Sequence, residues 1–215
     1  MARRLKYDIP GPDRRVSPDE VREKGWEAIF GPDAAAPLRL VVEVGFGRGE
    51  FLMHLARQEP GTAFVGVEVS FKRVLKMARR LARSEIPNVR LVEATGEEVI
   101  RDLLADGSVA AFWINFPDPW PKKRHHRRRL VQPALVSGLA RRLAPGGELQ
   151  VATDHEEYAE AIDAVLASEP LLENALAPER FLRDVPGRLP TAYELEWRAE
   201  GRKLHFWTYR RRAVA

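Results

Sequence analysis

Cysteine is absent from the 215-residue chain, which excludes disulfide bonds, thiol nucleophiles and thiolate zinc sites. Long hydrophobic runs are also missing, because no apolar stretch approaches the roughly 20 residues of a membrane span. The basic residues 1–7 have no hydrophobic stretch behind them, so no signal peptide is predicted. We therefore expect a protein that makes no membrane contact and acts in the cytoplasm.

Positive charge is unevenly distributed along a chain of otherwise ordinary globular composition, 45% apolar and 31% charged. Residues 1–15, 117–130 and 198–215 carry net charges of +3, +5 and +5, whereas the whole chain carries +4, so the remainder carries −9. Such asymmetry favours a polyanionic partner whose phosphates are bound by arginine and lysine. An arginine-rich composition without functional meaning is the alternative.

The first part of the chain is predicted to lie outside the main domain. Residues 1–16 are polar and contain proline and glycine, which predicts a flexible basic arm. Ser17 then caps a short helix that ends before Gly31, since the sequence Ser-Pro-Asp-Glu combines an N-cap, a proline and a capping-box glutamate. We expect an arm and helix over 1–37 and one large domain over 38–215.

Apolar runs and helical patterns alternate through the middle of the chain. The apolar runs cover 38–45, 62–70, 88–94, 109–116 and 148–154, and the helical patterns cover 50–58, 71–84 and 130–147. Strands that are apolar throughout and alternate with helices predict an α/β fold with a parallel sheet. After a proline-rich connection, alternating patterns at 191–199 and 204–210 predict a terminal antiparallel hairpin.

A glycine-rich sequence follows the first of these apolar runs. Glu43 precedes Gly45, Gly47 and Gly49, and glycines at such a turn let backbone N–H groups approach a ligand at a helix N-terminus. The spacing differs from the dinucleotide sequence G-x-G-x-x-G. A carboxylate repels a pyrophosphate but suits an ammonium group, which S-adenosylmethionine carries. Glu68 ends the next apolar run, where it can accept both ribose hydroxyls, so a nucleoside cofactor is favoured over a simple tight turn.

A second motif, NFPDPWPKKRHHRRR, covers residues 115–129. Three prolines stiffen the loop around Asp118, and group transfer is sensitive to small misplacements. The basic run that follows suits phosphate binding; the alternative is a solvated helix start, although cations oppose the dipole at a helix N-terminus. His125 and His126 lack visible partner ligands, so we predict no metal site.

With these motifs the chain closely resembles the bacterial single-chain tRNA (guanine-N7-)-methyltransferases. The sequences EVGFGRG, GVEVS, NFPDPWPKKRHHRRRL, ATDHEEYA and TAYE occur in that family's order between residues 38 and 210. The resemblance implies a Rossmann-like class I S-adenosylmethionine-dependent methyltransferase fold, with a mostly parallel seven-stranded sheet. It also implies methyl transfer to N7 of the guanosine at position 46 of the tRNA variable loop. The sequence leaves open whether the protein is a monomer or a homodimer.

The resemblance also assigns residues to roles. The implied cofactor-binding residues are Glu43, Gly45, Gly47, Glu68, Thr95 and Asp118. The implied substrate-binding residues are Lys122, Asp154, Thr191, Ala192, Tyr193 and Glu194. The implied RNA-binding residues are Arg124, His125, His126, Arg127, Arg128 and Arg129. Thr95 stands where related enzymes often carry an acid, which leaves the adenine contact open.

The expected chemistry needs no general base, because N7 of guanine has a lone pair and no proton. Positive charge moves from the sulfonium to the guanine ring, so a fixed carboxylate stabilises the transition state, and we assign this catalytic role to Asp118. Asp154 and Glu194 are expected to accept from guanine N1–H and N2–H₂. Trp120 is expected either to stack on the base or to lie in the core.

Other functions remain open at this point. One is a methyltransferase with a different acceptor, and another is a non-catalytic RNA-binding module that has kept the fold. A dinucleotide dehydrogenase is disfavoured by the glycine spacing and by Glu43.

Overall fold

A computed structural model describes residues 8–213, which contain eight strands and seven α-helices. The strands are β1 (Arg15–Val16), β2 (Leu40–Val44), β3 (Ala63–Glu68), β4 (Val89–Glu93), β5 (Val109–Asn115), β6 (Leu143–Thr153), β7 (Leu172–Asn174) and β8 (His205–Arg211). The helices are α1 (Pro18–Phe30), α2 (Glu50–Gln58), α3 (Phe71–Leu81), α4 (Gly96–Asp102), α5 (Pro133–Arg142), α6 (Glu156–Ser168) and α7 (Ala192–Ala199).

All eight strands form one sheet, in the order β1-β4-β3-β2-β5-β6-β8-β7. The strands from β1 to β6 pair in parallel, and β8 lies antiparallel to both β6 and β7. Every residue of β2 and β3 is buried, because helices cover both faces of the sheet. The predicted parallel α/β sheet is confirmed, with eight strands rather than seven.

One of the eight strands lies in the segment predicted to be a flexible arm. Arg15 and Val16 form β1 and pair with Leu91 and Val92 of β4. Residues 1–7 of the predicted arm lie outside the described residues. The prediction was wrong for residues 15–16. Their polar sequence gives no local signal for a strand, but pairing with the edge of the sheet satisfies their backbone hydrogen-bonding groups.

Helix α1 begins and ends where the sequence predicts. Ser17 Oγ accepts a hydrogen bond from the Glu20 amide at 3.1 Å, and the helix ends at Phe30. The buried Trp26 donates its indole N–H to the Leu103 carbonyl at 2.8 Å. The segment before residue 38 therefore contributes to the core, and a boundary between residues 37 and 38 stays a prediction.

The predicted terminal hairpin is wrong, because the segment 191–199 contains a helix. Thr191 caps α7, and its hydroxyl accepts from the Glu194 amide at 3.0 Å. Glu194 is buried whereas Leu195 is 56% exposed, which inverts the expected alternating pattern. The sequence Thr-x-x-Glu is a capping-box signal that outweighs the alternation. Strand β8 pairs instead with β6 and β7, so an antiparallel C-terminal part of the sheet is confirmed.

Helix α5 is shorter than predicted and β6 correspondingly longer. The helix ends at Arg142, and β6 begins at Leu143 instead of residue 148. Pro145 cannot continue a helix, and here it lies within the irregular first part of the strand, where the pairing register with β5 shifts.

The two faces of the sheet are covered by different helices. Helices α2 and α3 pack on one face, in a core that includes Leu52, Met77 and Leu81. Helices α1, α4, α5 and α6 contribute to the core on the other face. The carboxyl ends of β2 to β5 meet at one edge between these layers, where open α/β sheets bind their ligands.

Candidate functional site

Two adjoining hollows open at the carboxyl ends of the central strands. The first hollow has a volume of about 280 Å³, and the second about 320 Å³. Gly45, Asn115, Phe116 and Asp118 line both. The two hollows therefore form one cleft, with β2 and β5 in its floor.

The glycine loop wraps closely around its neighbours at the start of α2. Gly47 and Gly49 have φ values of 55° and 75°, in a region that side chains rarely adopt. A Cβ atom at Gly49 would lie 2.3 Å from the sulfur of Met77 on α3. The positive φ values favour glycine at both positions, and a side chain at Gly49 would also require Met77 to move.

Glu43 lies at the floor of the first hollow and is 2% exposed. Its Oε1 accepts from the Asn115 amide at 3.0 Å, while its buried Oε2 has no hydrogen-bond partner. Burial raises the pKa of Glu43 to about 7, although the Asn115 hydrogen bond lowers it. A buried carboxylate oxygen without a partner suits a positively charged ligand group.

Arg188 orients the amide that holds Glu43. Its Nη2 donates to Asn115 Oδ1 at 2.7 Å, and its guanidinium lies 5.0 Å from the ring centroids of Phe51 and Phe206. Because Oδ1 is bound in this way, the Asn115 Nδ2 group points at Glu43. Arg188 lies in the proline-rich connection, and no motif or spacing in the sequence indicated its role.

Glu194 lies beneath the cleft rather than at its surface. It is 3% exposed, pairs with Arg188, and accepts from Arg198 Nη2 at 2.9 Å. Its carboxylate therefore holds two arginines together and does not line either hollow. The structure does not bring Glu194 to a position where it would read a base edge.

Glu68 lines the second hollow and fixes the glycine loop. Its Oε1 accepts from the Ser70 amide at 3.0 Å, and its Oε2 accepts from the Gly47 amide at 3.2 Å and from Arg73 at 3.3 Å. Each carboxylate oxygen has two lone pairs, so acceptor capacity remains for a ligand hydroxyl.

Thr95 also lines the second hollow, where it caps α4. Its hydroxyl oxygen accepts from the Glu98 amide at 3.1 Å, which leaves the hydroxyl hydrogen available as a donor. Glu97, two residues later, lines the same hollow and is exposed. Sequence reasoning missed Glu97, although it supplies a carboxylate close to the position where Thr95 lacks one.

Residues with strained backbone lie at both ends of the loop 116–120, which contains Asp118 and is called the proline loop below. Phe116 and Trp120 have φ values of 54° and 44°, uncommon for residues other than glycine, and such strain costs of order 1–3 kcal/mol each. Between them, Asp118 is exposed and lines both hollows. Among residues 8–213, Asp118 makes no hydrogen bond or ion pair. The loop thus presents a carboxylate that the protein itself leaves uncompensated.

Two residues of the basic run serve the structure of this loop. Arg129 is 5% exposed, donates its Nε to the Pro119 carbonyl at 2.8 Å, and lies 3.0 Å from His126 Nε2. Both side chains also lie 3.4 Å from Glu157. Arg129 therefore fixes the loop from beneath, and RNA contact by this residue is not supported.

Other members of the run stay at the surface, in a 3₁₀ helix over Lys123–Arg128. The Arg128 guanidinium lies 5.0 Å from the ring centroid of Trp120, and the His125 ring meets the same indole edge-on at 5.9 Å. Trp120 lines the second hollow and does not belong to the core. Lys122, Arg124 and Arg127 are exposed, and Lys122 lines neither hollow.

The far side of the first hollow is built by the end of β6 and by α7. Asp154 lines it and accepts from Arg202 Nη1 at 2.6 Å. Tyr193 stacks on Trp197 with ring centroids 5.5 Å apart, and both rings line the hollow. Thr191 and Ala192 line it as well. Sequence reasoning missed Trp197 and Arg202, because the helix that orients them was predicted to be a strand.

Most bases of the last basic segment form ion pairs with acids of the same chain at its surface. Arg210 pairs with Glu148 at 2.9 Å and Arg212 with Glu173 at 3.3 Å, and Lys203 lies 3.6 Å from Glu156. Together with Arg198 and Arg202, these side chains are bound to acids. The positive charge of residues 198–212 is therefore not a free surface for a polyanion, contrary to its interpretation from sequence.

Neither a metal cluster nor a membrane-spanning helix is found in the described part of the chain. Residues 8–213 contain no group of three or more histidine, aspartate or glutamate side chains that is placed to hold a metal ion. None of the helices in this range is long and apolar enough to cross a membrane.

Comparison with known proteins extends these observations. A family model described as "Putative methyltransferase" matches residues 38–207. The solved 16S rRNA methyltransferase KamB superposes with a TM-score of 0.62, at 19% identity over 86% of this chain and 91% of that one. A 16S rRNA (adenine(1408)-N(1))-methyltransferase from Catenulisporales acidiphilia gives 0.57, at 18% identity and 93% coverage of both chains. The class I methyltransferase fold that the sequence predicted is confirmed.

Curated relatives are more similar in sequence. The tRNA (guanine-N(7)-)-methyltransferase of Geobacter metallireducens is 37% identical over 92% of this chain and 92% of its own length. That of Cupriavidus necator is 40% identical over 96% of this chain and 77% of its own. That of Bordetella pertussis is 48% identical over 68% of this chain, and the match spans 56% of the relative. With these identities over most of its residues, the chain belongs to the tRNA (guanine-N(7)-)-methyltransferase family.

Proposed function

We propose that this chain transfers the methyl group of S-adenosylmethionine to N7 of a guanosine in tRNA, at position 46 of the variable loop, in the cytoplasm. One observation carries the proposal: within residues 8–213, a buried carboxyl oxygen of Glu43 has no hydrogen-bond partner and Asp118 makes no hydrogen bond or ion pair, and both residues line one cleft. Two carboxyl groups with unused acceptor oxygens suit a reaction in which a positively charged donor binds and its charge then moves to the acceptor. Family membership supplies the acceptor.

The residues of the cleft fit this cofactor. Glu43 suits the ammonium group, Glu68 suits the ribose hydroxyls, and Thr95 with Glu97 offers both a donor and an acceptor for the adenine edge. The bound cofactor supplies an electrophilic methyl group. The stiff glycine loop and the charged floor orient it, so that little reorganisation is needed at the moment of transfer.

Asp118 has the catalytic role in this proposal. Guanine N7 needs no deprotonation, so the protein must only hold the base in line and stabilise the positive charge that its ring gains. A carboxylate without a competing partner in the protein is well suited to that task. The strained backbone at both ends of the loop persists because surrounding contacts hold it, among them the hydrogen bond from Arg129 to the Pro119 carbonyl.

The base itself is held by the other wall of the first hollow. The stacked rings of Tyr193 and Trp197 offer a flat surface for a purine. Asp154 can accept from the guanine N1–H and N2–H₂ donors, with Arg202 fixing its orientation. Adenine lacks this donor pair, so the same wall selects guanine. Of the RNA contacts predicted from the sequence, we retain the exposed Arg124, Arg127 and Arg128 and the partly exposed His125. Lys122, which was predicted to bind the substrate, is exposed beside them and is assigned to the RNA as well.

The direct test replaces Asp118 by asparagine. We expect kcat for methyl transfer to unmodified tRNA to fall roughly 100-fold or more, because one preorganised charge is lost. The tRNA dissociation constant should stay within about twofold. The matched control is Asp19→Asn, which removes a distant exposed carboxylate. Mass mapping of the product should find 7-methylguanosine in the variable loop; unchanged turnover in Asp118→Asn, or methylation of another nucleoside, would contradict the proposal.

A further inference from the structure

A second basic surface lies outside the cleft, in a groove between helices α2 and α3. The groove has a volume of about 520 Å³, and its charged lining residues are Glu50, Arg57, Lys76, Arg80 and Arg83. Four cations and one anion give this lining a net charge of +3. Among the described residues, the side chains of Arg57, Lys76 and Arg83 make no hydrogen bond or ion pair, and all three are exposed. The groove therefore presents charge that the protein does not neutralise.

The fold itself does not require this charge. Residues 71–84 contain six lysines and arginines and no acid, so α3 has no internal ion pairs to stabilise its surface. The buried apolar side chains of α3, including Val74 and Leu81, pack into the core. Lys76 and Arg80 are four residues apart on α3, and Arg83 follows in the turn after the helix, so all three line the same groove. Arg80 pairs with Glu50 at 3.1 Å, which leaves the repulsion between Lys76 and its basic neighbours to be relieved by a bound polyanion.

The groove is continuous with the cleft. Glu50 lines both the first hollow and the groove, and Arg80 donates to the Arg48 carbonyl in the glycine loop at 3.0 Å. Arg73, near the start of α3, lines both hollows. Helix α3 is about 15 Å long, a length that about four phosphates of one strand in a duplex would span.

We propose that this groove binds the sugar-phosphate backbone of tRNA outside the methylated nucleotide, on the side of the cleft opposite the proline loop and the basic run that follows it. The inference rests on the proposed function, because it takes tRNA as the polyanion. None of the aromatic side chains between residues 8 and 213 lines the groove, so this part of the chain offers no surface there on which a base would stack. It therefore strengthens binding without reading sequence, as phosphate contacts do.

The test compares two triple variants of the full chain that lose the same charge. The first is Arg57→Ala with Lys76→Ala and Arg83→Ala. The control is Lys24→Ala with Arg101→Ala and Arg141→Ala, on helices α1, α4 and α5, which contribute to the core on the other face of the sheet. Fluorescence anisotropy gives the tRNA dissociation constant from low to high KCl, and calorimetry gives S-adenosylmethionine affinity.

The groove variant should bind tRNA roughly tenfold or more weakly at low salt, and the slope of log K against log salt should decrease by roughly 2 to 3. Its melting temperature, cofactor affinity and kcat at saturating tRNA should match the control, while KM for tRNA rises. A slope equal to that of the control would overturn the inference. A fall in kcat with unchanged tRNA affinity would also overturn it. The same holds if sedimentation shows that the groove variant loses dimers that the control forms, because the groove would then be a contact between two copies of the chain.

The two proposals fail in different ways. If the unaltered protein binds tRNA but does not methylate it, the proposed function is wrong, and the salt slopes of the two variants still decide whether the groove binds RNA. If methylation proceeds normally while the groove variant keeps the salt slope of the control, only the groove inference is wrong.

Discussion

Two segments of this chain have the same number of bases and opposite environments. Residues 117–130 and 198–215 each carry a net charge of +5. In the first, Lys123 and Arg127 reach solvent without an acidic partner among residues 8–213. In the second, Arg210 and Arg212 are bound to acids of neighbouring strands. Charge count alone therefore does not reveal a nucleic-acid surface, because what matters is whether the fold brings an acid to each base.

The comparison extends to buried acids and predicts its largest effect at Glu43. Lys123 and Arg127 have no acidic partner among the described residues, and in the same way the Oε2 atom of Glu43 has no hydrogen-bond donor there. Burial raises the pKa of Glu43 from 4.5 to about 7. The folded protein therefore holds a proton that the unfolded chain releases between these two values. The stability of the unliganded protein should decrease by up to about 3 kcal/mol as pH rises from about 4.5 to 7, and then level off in this respect.

Urea unfolding at several pH values, for the unaltered protein and for Glu43→Gln, measures this effect. As pH rises, the free energy of unfolding of the unaltered protein should fall relative to that of Glu43→Gln, because only the unaltered protein carries the titrating carboxyl group. Glu23→Gln, at an exposed position, should show no such change. A constant difference between pH 5 and pH 8 would show that Glu43 is ionised throughout.

The next effect concerns the free bases that follow the proline loop. Lys123→Ala with Arg127→Ala should weaken tRNA binding roughly 10- to 100-fold and reduce the salt slope by roughly 2, because two phosphate contacts are lost. Arg210→Ala with Arg212→Ala removes the same charge and should leave tRNA binding unchanged. Filter binding across a salt series distinguishes the pairs, and equal losses in both would break the comparison.

A smaller effect is expected where a paired arginine holds a buried acid. Arg198→Ala leaves Glu194 Oε1 without the two hydrogen bonds of 3.1 and 2.9 Å that it now accepts. The free energy of unfolding should fall by about 1–2 kcal/mol, as measured by urea unfolding at neutral pH. The salt slope of tRNA binding should not change; a reduced slope would make Arg198 an RNA contact instead.

The smallest effect belongs to the exposed ion pairs of the C-terminal segment. Arg210→Ala should leave the free energy of unfolding nearly unchanged, because the pair with Glu148 is accessible to water and screened by salt. Thermal unfolding at low and high salt measures this difference. A loss clearly above that of Arg198→Ala would contradict the ranking of buried over exposed pairs.

Part of the site follows from the sequence because of a simple topological rule. Glu43, Glu68 and Asp118 each lie near the end of an apolar run, and parallel strands bring those ends to one edge of the sheet. The glycine loop was predictable for the same reason. These features depend on local pattern and strand direction alone.

Other features depend on contacts that no local pattern encodes. Arg129 belongs to a run of similar residues, and only the packing of α6 beneath the loop separates it from its exposed neighbours. Glu194 lies in a motif associated with substrate, yet the capped helix α7 turns it inward. Arg188 is a single arginine in an irregular connection. Its partner Asn115 lies more than 70 residues earlier in the chain, whereas its partner Glu194 lies only six residues later.

That arrangement bears on how the protein is made. Asn115, which holds Glu43, gains its own anchor only from Arg188, near the end of the chain. During synthesis from the N-terminus, every parallel strand leaves the ribosome before this arginine does. A nascent chain that stops short of residue 188 has every parallel strand of the sheet but lacks Arg188, helix α7 and strand β8. Translation therefore completes the methyl-donor site and the wall that faces the base at nearly the same moment.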